Sequence, residues 1–212
     1  MLHQQLYSSI PLAPDVSARA AAVRAPVRAA LRRSTLAAHE RMHSFEPFQS
    51  IAEGRLTLDR YLPLVQSLLL FHSAIGAAVA HSGWASISSA QVRRALLDDD
   101  LRALGGVALQ QSVHWRPRSS EEALGALYAA EGSMLGGRVI ARQLNFLFGS
   151  AERGRRFFIG SPSDSANWRK LLAVLEERCT AARALDRAIG GALVGFQLFE
   201  ECLTTCGRVP AG

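Results

Sequence analysis

Leu127-Tyr-Ala-Ala-Glu-Gly-Ser-Met-Leu-Gly-Gly-Arg-Val-Ile140 is the stretch on which the reading of this chain turns. Its apolar residues recur at helical spacing, yet Gly132, Gly136 and Gly137 fall within six positions. A glycine inside a helix is about 1 kcal/mol worse than alanine. Three of them set a penalty of roughly 3 kcal/mol that the fold has to offset. Gly132 and Gly136 are four apart and share a helix face, and Ser133 and Gly137 share the next one round. The result is a strip of backbone with almost no side chain on it. Two occupants suit such a strip: a flat ligand, or a second helix at close range.

The sequence on either side is also helical in pattern. Ser119-Ser-Glu-Glu122 has capping-box spacing and opens the glycine-bearing helix, which is expected to run to Phe148-Gly149. Upstream, Val27, Leu31 and Leu36 with His39 predict a helix to about Ser44, with Pro26 in its first turn and Pro47 stopping it. Further helices are expected at about 57–81, bent or started near Pro63, and from Ser88 or Ser89 to Leu104. Ser82-Gly83 and Gly105-Gly106 end those two. A short helix is expected within 150–158, and two more at about 165–180 and 182–206. No segment alternates as a strand does, so the fold class is all-α, with six to eight helices in one domain over residues 25–212. Residues 1–24, with Pro11 and Pro14, are expected to form a poorly ordered tail.

Composition narrows the function. With 212 residues and 49% apolar content the chain is long enough for one well-buried core. The net charge is +6, carried almost wholly by arginine, since Lys170 is the only lysine. The arginines are scattered and do not alternate with aromatics, so they predict an anionic partner or carboxylate-bearing ligand and not nucleic acid. Three cysteines, an odd number, with no secretory signal at the start, point to reduced thiols and the cytoplasm. The stretch 62–80 is the longest apolar run. Pro63, Gln66, Ser67, His72 and Ser73 interrupt it, so a buried helix is expected and no membrane span.

Six histidines are present. His3 lies in the tail, and His72, His81 and His114 read as structural. His39-Glu-Arg-Met-His43 matches H-E-x-x-H, in which two imidazoles on one helix face bind zinc and the glutamate activates water. The context is wrong for a zinc hydrolase: between Glu53 and Glu121 there is no glutamate to supply a third ligand. The remaining readings are two surface histidines, or one imidazole facing the bare strip of the second helix. The latter makes a slot for a planar metallated ring, with His39 as axial ligand to the iron.

Taken together these residues resemble the haem oxygenases, particularly the bacterial branch. Leu31-Arg-Arg-Ser-Thr-Leu-Ala-Ala-His39 is similar to the family's first helix, and Tyr128-Ala-Ala-Glu-Gly-Ser-Met-Leu-Gly-Gly137 to its kinked distal helix. Arg94-Ala-Leu-Leu-Asp-Asp-Asp-Leu-Arg-Ala-Leu-Gly105 and Gln197-Leu-Phe-Glu-Glu201 are weaker matches to its middle and last helices. The resemblance implies a single-domain helical bundle that cleaves haem, as both substrate and cofactor, to biliverdin, carbon monoxide and ferrous iron. It implies His39 as iron ligand, Arg32 and Tyr128 near the propionates, and Gly132, Ser133, Gly136 and Gly137 as the distal catalytic wall. Dioxygen is the co-substrate. Electrons must come from a partner such as a ferredoxin or a flavin reductase, because the chain has no flavin or nicotinamide fingerprint. A haem carrier or sensor on the same fold is the alternative. The chain departs from the family twice: animal members carry an aspartate near the place of Ser133, and a glutamate is frequent where His43 stands.

Overall fold

The computed structural model describes residues 26–207, and among these there is no strand. The long helices are α1 (Pro26–Ser44), α3 (Leu58–Ala80), α4 (Ala90–Ala103), α5 (Ser120–Gly132), α9 (Asp164–Arg178) and α10 (Ala182–Gly207). Between them lie α2 (Glu46–Ala52), α6 (Gly137–Gln143), α7 (Asn145–Phe148) and α8 (Arg156–Ile159). Two 3-10 turns, Ala85–Ile87 and Ser133–Leu135, complete the described elements. The tail expected over 1–24 lies outside the described residues.

The boundaries follow local chemistry. The Ser119 hydroxyl accepts the Glu122 N–H at 3.2 Å, and the Glu122 carboxylate takes the N–H of Arg118, so the first turn of α5 is capped from both directions. Gly83 and Gly105 follow α3 and α4 with φ of +82° and +71°, a left-handed backbone in which a side chain is strained. Two expectations are corrected. Pro47 does not simply end a helix; it sits in the first turn of α2, where its missing N–H would have had no partner. The 120–148 helix is not continuous, and its break into α5, a 3-10 turn, α6 and α7 takes the total past six to eight.

The α3 segment corrects a third. Pro63 lies inside a helix that already starts at Leu58, and the Ser67 hydroxyl donates to the Pro63 carbonyl at 2.8 Å. The polar residues expected to interrupt the run are absorbed, leaving a helix long and apolar enough by length and composition to cross a membrane. In the fold 67% of that apolar window is buried. It forms a wall of the core, with Tyr61, Leu64, Val65, Leu68, Phe71 and Ile75 turned inward.

The bundle is organised on α10, which packs against α5, α3 and α1, while α4 covers α3 and α9 covers α5. The tightest crossing is α5 on α10. A Cβ at Gly125 would lie 1.8 Å from the Ala188 carbonyl oxygen, and one at Gly191 would lie 1.9 Å from that of Glu122. The two backbones are thus in contact through paired glycines. Gly190, the residue before Gly191, has nothing within 4 Å of a Cβ. Gly190→Ala is expected to raise stability by up to about 1 kcal/mol, read as a higher thermal midpoint.

Candidate functional site

His39 stands on α1, half-buried, two turns after the exposed Arg32 and on the same face. The exposed Leu36 lies between them, and the exposed His43 follows one turn later. The His39 and His43 rings meet edge to face at 4.9 Å between centroids, and His39 also meets Phe196 of α10 at 6.3 Å. An ion pair between Arg41 and Glu200, at 3.2 Å, fixes α1 to α10 beside these rings. Among the described residues no three of His, Cys, Asp and Glu form a group able to hold a metal ion. The HERMH sequence therefore gains no third protein ligand there, and the zinc hydrolase reading loses its donor set.

The other candidate residues lie on the broken stretch 132–140. Its glycines do different things. Gly132 faces Trp168 of α9, whose ring edge would meet a Cβ at 3.4 Å. Tyr128, one turn earlier, stacks on the same Trp168 at 5.3 Å. A Cβ at Gly137 would lie 3.0 Å from the Phe158 carbonyl oxygen and 3.3 Å from the Met134 methyl. Gly136 alone of the three is exposed, and a Cβ there would make one ordinary contact, with the Ser133 carbonyl oxygen at 3.7 Å. The Ser133 hydroxyl donates to the Ala130 carbonyl at 2.8 Å. Leu135, beside Gly136, is 44% exposed.

Behind this segment lies a cavity of about 50 Å³, lined by Ser133, Met134, Gly137 and Ile140 on one side. Phe48, Phe71, Phe157, Phe158 and Phe199 close it. Phe199 is three residues from Phe196 on α10, so one helix face joins the cavity to His39. The space is much narrower than the open slot expected from sequence, since ligand pockets are commonly about 300 Å³ or more. A larger cleft of about 150 Å³ lies among Asp99, Asp100, Arg102, Ala103, Arg153 and Arg156. It is mixed in charge and contains none of the sequence-predicted residues. Asp100 there is structural: it accepts the N–H groups of Arg156 and Phe157 at 2.9 Å each and so places α8 against the cavity.

The inner wall carries a polar cluster that sequence reading passed over. His72, 1% exposed, contacts Phe71 and Phe157 at 5.1 Å and 5.2 Å between ring centroids. Burial, assisted by the nearby Arg93 charge, holds its pKa well below the usual histidine value. Arg93 pairs with Glu131 at 2.6 Å, both almost fully buried, and Glu131 also accepts the Ser89 N–H at 2.7 Å. Glu131 directly precedes Gly132, so this pair anchors the end of α5. The only sequence signals were an arginine at a helix start and a glutamate amid apolar residues.

His72 gives the fold an acid limit. The unfolded chain binds a proton to this ring below about pH 6.5, while the folded one resists it. Stability is therefore present above pH 6.5 and is lost as pH falls, by at most about 1.4 kcal/mol per pH unit from this group. Denaturant unfolding at several pH values checks this, and His72→Phe should flatten that part of the profile.

Comparison with known proteins agrees with this architecture. The sequence model of the haem oxygenase family matches residues 25–205. A haem oxygenase of Xanthomonas campestris pv. campestris (strain 8004) is 35% identical over 170 residues, covering 76% of this chain and 98% of the relative. The NO- and CO-bound haem oxygenase from Neisseria meningitidis superposes with a TM-score of 0.68 at 22% identity, over 88% of this chain and 94% of that one. The haem oxygenase from Leptospira interrogans gives 0.65 at 13% identity, over 85% and 100%. The two solved structures share the fold, and the family model and the bacterial relative carry the match into sequence: this chain belongs to the haem oxygenase family.

Proposed function

We propose that this protein cleaves haem with dioxygen and externally supplied electrons, releasing biliverdin, carbon monoxide and ferrous iron. Family membership makes haem the substrate, and the exposed backbone at Gly136 is the observation that carries the reading to this site. The residues fit a tetrapyrrole by their chemistry. An imidazole stands on one helix, glycine backbone on another, and aromatic side chains lie behind. Leu36 on α1 and Leu135 on the broken segment are 48% and 44% exposed, apolar edges suited to a ring's periphery.

In this reading His39 ligates the iron, and Arg32, on the same face, meets a propionate in a charge-assisted contact. Tyr128 offers a hydroxyl to the second propionate. Bound haem supplies the iron that takes up dioxygen and the ring that is oxidised. The chain itself holds the ring, keeps water from the inner end with Phe48, Phe71 and Phe199, and restricts the angle of approach with the backbone of Gly136 and Gly137. Seating the ring requires Phe48 and Phe199 to rotate and the 133–140 segment to move outward, since the cavity is about 50 Å³. Electrons come from a separate protein, a ferredoxin or flavin reductase, and a net charge of +6 favours an acidic one. Burial pushes the Cys179 and Cys202 thiols up to about 11 and about 12, which keeps them protonated and suits a reducing cytoplasm.

Hemin addition followed by ascorbate or a ferredoxin–reductase system tests the reading. A Soret band that bleaches into biliverdin supports the oxygenase; a stable band means a carrier; no band rejects the haem site. Gly136→Leu refines the test. Gly136 is an exposed turn residue with φ of −84°, a backbone conformation that leucine also adopts, and a Cβ there meets only the Ser133 carbonyl oxygen at 3.7 Å, so the fold should survive. Hemin affinity is expected to fall at least about tenfold, because the new side chain fills the ring's flank. Unchanged binding and turnover would remove Gly136 from the site.

A further inference from the structure

Arg93 and Glu131 are both charged and both buried, with side chains 3% and 2% exposed. Nη2 of Arg93 donates to a Glu131 carboxylate oxygen at 2.6 Å. Taking two charges out of water is costly, and a buried pair often adds no more stability than apolar residues of the same size. The helix dipoles give no help. Arg93 lies in the first turn of α4, where a cation is disfavoured, and Glu131 in the last turn of α5, where an anion is. Stability alone does not account for a pair placed against these costs. What the pair does secure is a geometry.

Glu131 is held from two sides. Its other carboxylate oxygen accepts the Ser89 N–H at 2.7 Å, and the Ser89 hydroxyl accepts from the Asn167 side chain of α9 at 3.0 Å. Arg93 also lies 3.5 Å from Asp164, the first residue of α9. The end of α5 is therefore tied to the starts of α4 and α9. Directly beyond it the helix gives way to the 3-10 turn Ser133–Leu135. Hydrogen bonds from there on are local: Ser133 to Ala130, Gly136 to Ser133, Val139 and Ile140 to Gly136. The far end is fixed by Arg155, 6% exposed, which donates to the Ala141 carbonyl and the Asn145 side chain at 2.6 Å each and to the Gly149 carbonyl at 2.8 Å. Residues 132–140 thus hang between two buried guanidinium groups. The α4 helix also sets the side of this stretch. Asp100, two turns after Arg93, accepts the N–H groups of Arg156 and Phe157 and places α8, whose Phe158 carbonyl lies against Gly137.

We propose that Arg93 and Glu131 are positioning residues: their ion pair fixes the backbone of 132–140 relative to the ring and so decides which bridging carbon of the tetrapyrrole is oxidised. The inference rests on the haem-cleaving reading and on Gly136 lying at the ring. Neither residue of the pair touches the ring. A tilt of the stretch about Glu131 carries Gly136 across the ring face. A backbone with no side chain steers by position alone, so its effect depends on how firmly its ends are held. The pair is also poised to let go. Asp164, with a 21% exposed side chain, is a second anion for Arg93. With Glu131 neutralised, Arg93 turns to Asp164 and the end of α5 is released.

One arm of the test needs no haem. Glu131→Gln keeps the side-chain size and an oxygen for the Ser89 N–H. In the unloaded variant the amides of 133–140 should exchange with solvent at least about tenfold faster than in the parent, while those of α10 keep their rates. Loaded with hemin, it should keep the Soret position and bind within about threefold of the parent, because the proposed iron ligand is on α1, but its ratio of biliverdin isomers should change at least about twofold. Arg93→Met combined with Glu131→Gln leaves no unpaired buried charge. Its thermal midpoint should return towards the parent value, with the fast exchange and the altered isomer ratio both remaining. This double variant carries the test if Glu131→Gln does not fold. Parent-like exchange at 133–140, or a parent-like isomer ratio, in a folded variant would overturn the proposal. So would exchange that rises equally in 133–140 and α10, since the pair would then act through stability alone. A parent protein that does not bind hemin would instead sink the haem-cleaving reading, and the exchange measurement would still decide whether the pair holds the stretch.

Discussion

Gly125→Ala is expected to lower stability by about 3 kcal/mol or more, although alanine is the better helix former by about 1 kcal/mol. The added methyl would sit 1.8 Å from the Ala188 carbonyl oxygen, and also 2.8 Å from the Ala192 nitrogen. These are backbone atoms of a helix, so no rotamer change relieves the clash. The whole of α10 has to move away from α5, which opens the contacts of Leu124, Leu127, Ala188 and Ala192 in the same core cluster. Gly191→Ala meets the mirror problem, 1.9 Å from the Glu122 carbonyl oxygen, and should cost a similar amount. At about 2–4 °C per kcal/mol for a chain of this size, each variant should melt roughly 6–12 °C below the parent. The pair are neighbours across one crossing, so a double variant should cost less than the sum: once α10 has moved for one methyl, the other fits more easily. A Gly125→Ala melting point within about 2 °C of the parent would show that the helices do not cross in this way.

This crossing also marks where the sequence was legible and where it was not. The glycine penalty at 132, 136 and 137 invited two explanations, a flat ligand or close helix packing. The structure divides them by position. Gly132 accommodates Trp168, Gly137 the Phe158 backbone, and Gly136 is exposed. The closest helix packing occurs elsewhere, at Gly125 and Gly191, which the sequence reading did not single out although Gly191 and Gly195 are four apart just as Gly132 and Gly136 are. Helical periodicity and caps placed α1, α3, α4, α9 and α10 within a few residues, since each buries a regular apolar face. Periodicity misjudged the segment after Gly132, because three flexible residues let tertiary packing replace α-helical hydrogen bonds by a 3-10 turn.

The site shows the same division. His39 and the glycine segment stood out because their chemistry needs particular residue types in order. The polar groups of the inner wall did not. Arg93, Glu131 and Asp164 come from α4, α5 and α9 and meet only in the folded bundle. A lone histidine in an apolar run reads as structural whatever lies opposite it. The width of the cavity was equally illegible: it depends on the rotamers of Phe48, Phe71 and Phe199, contributed by three different helices.

His39→Ala carries the largest functional effect expected of any single change, and it rests on the proposed ligation of iron by this ring. Removing groups that merely orient a metal-bound histidine weakens metal affinity about 10–100-fold. Deleting the ligand itself should lose at least roughly 100-fold in hemin affinity and abolish the imidazole-type Soret and visible bands, and with them product formation. The fold should be nearly untouched, because His39 is half-buried at the edge of Phe196 and outside both apolar cores. Thermal unfolding separates the two effects. His43 complicates the experiment in a useful way. Its ring touches that of His39 at 4.9 Å, one turn along the same face. A small register shift of the bound ring would let it substitute. His39→Ala with His43→Ala resolves this. Loss of the imidazole spectrum in the single variant, with added imidazole restoring it, establishes His39 as the ligand. Retention in the single variant and loss in the double would transfer that role to His43. Retention in both would place the iron ligand off α1 altogether and reject the geometry proposed for this site.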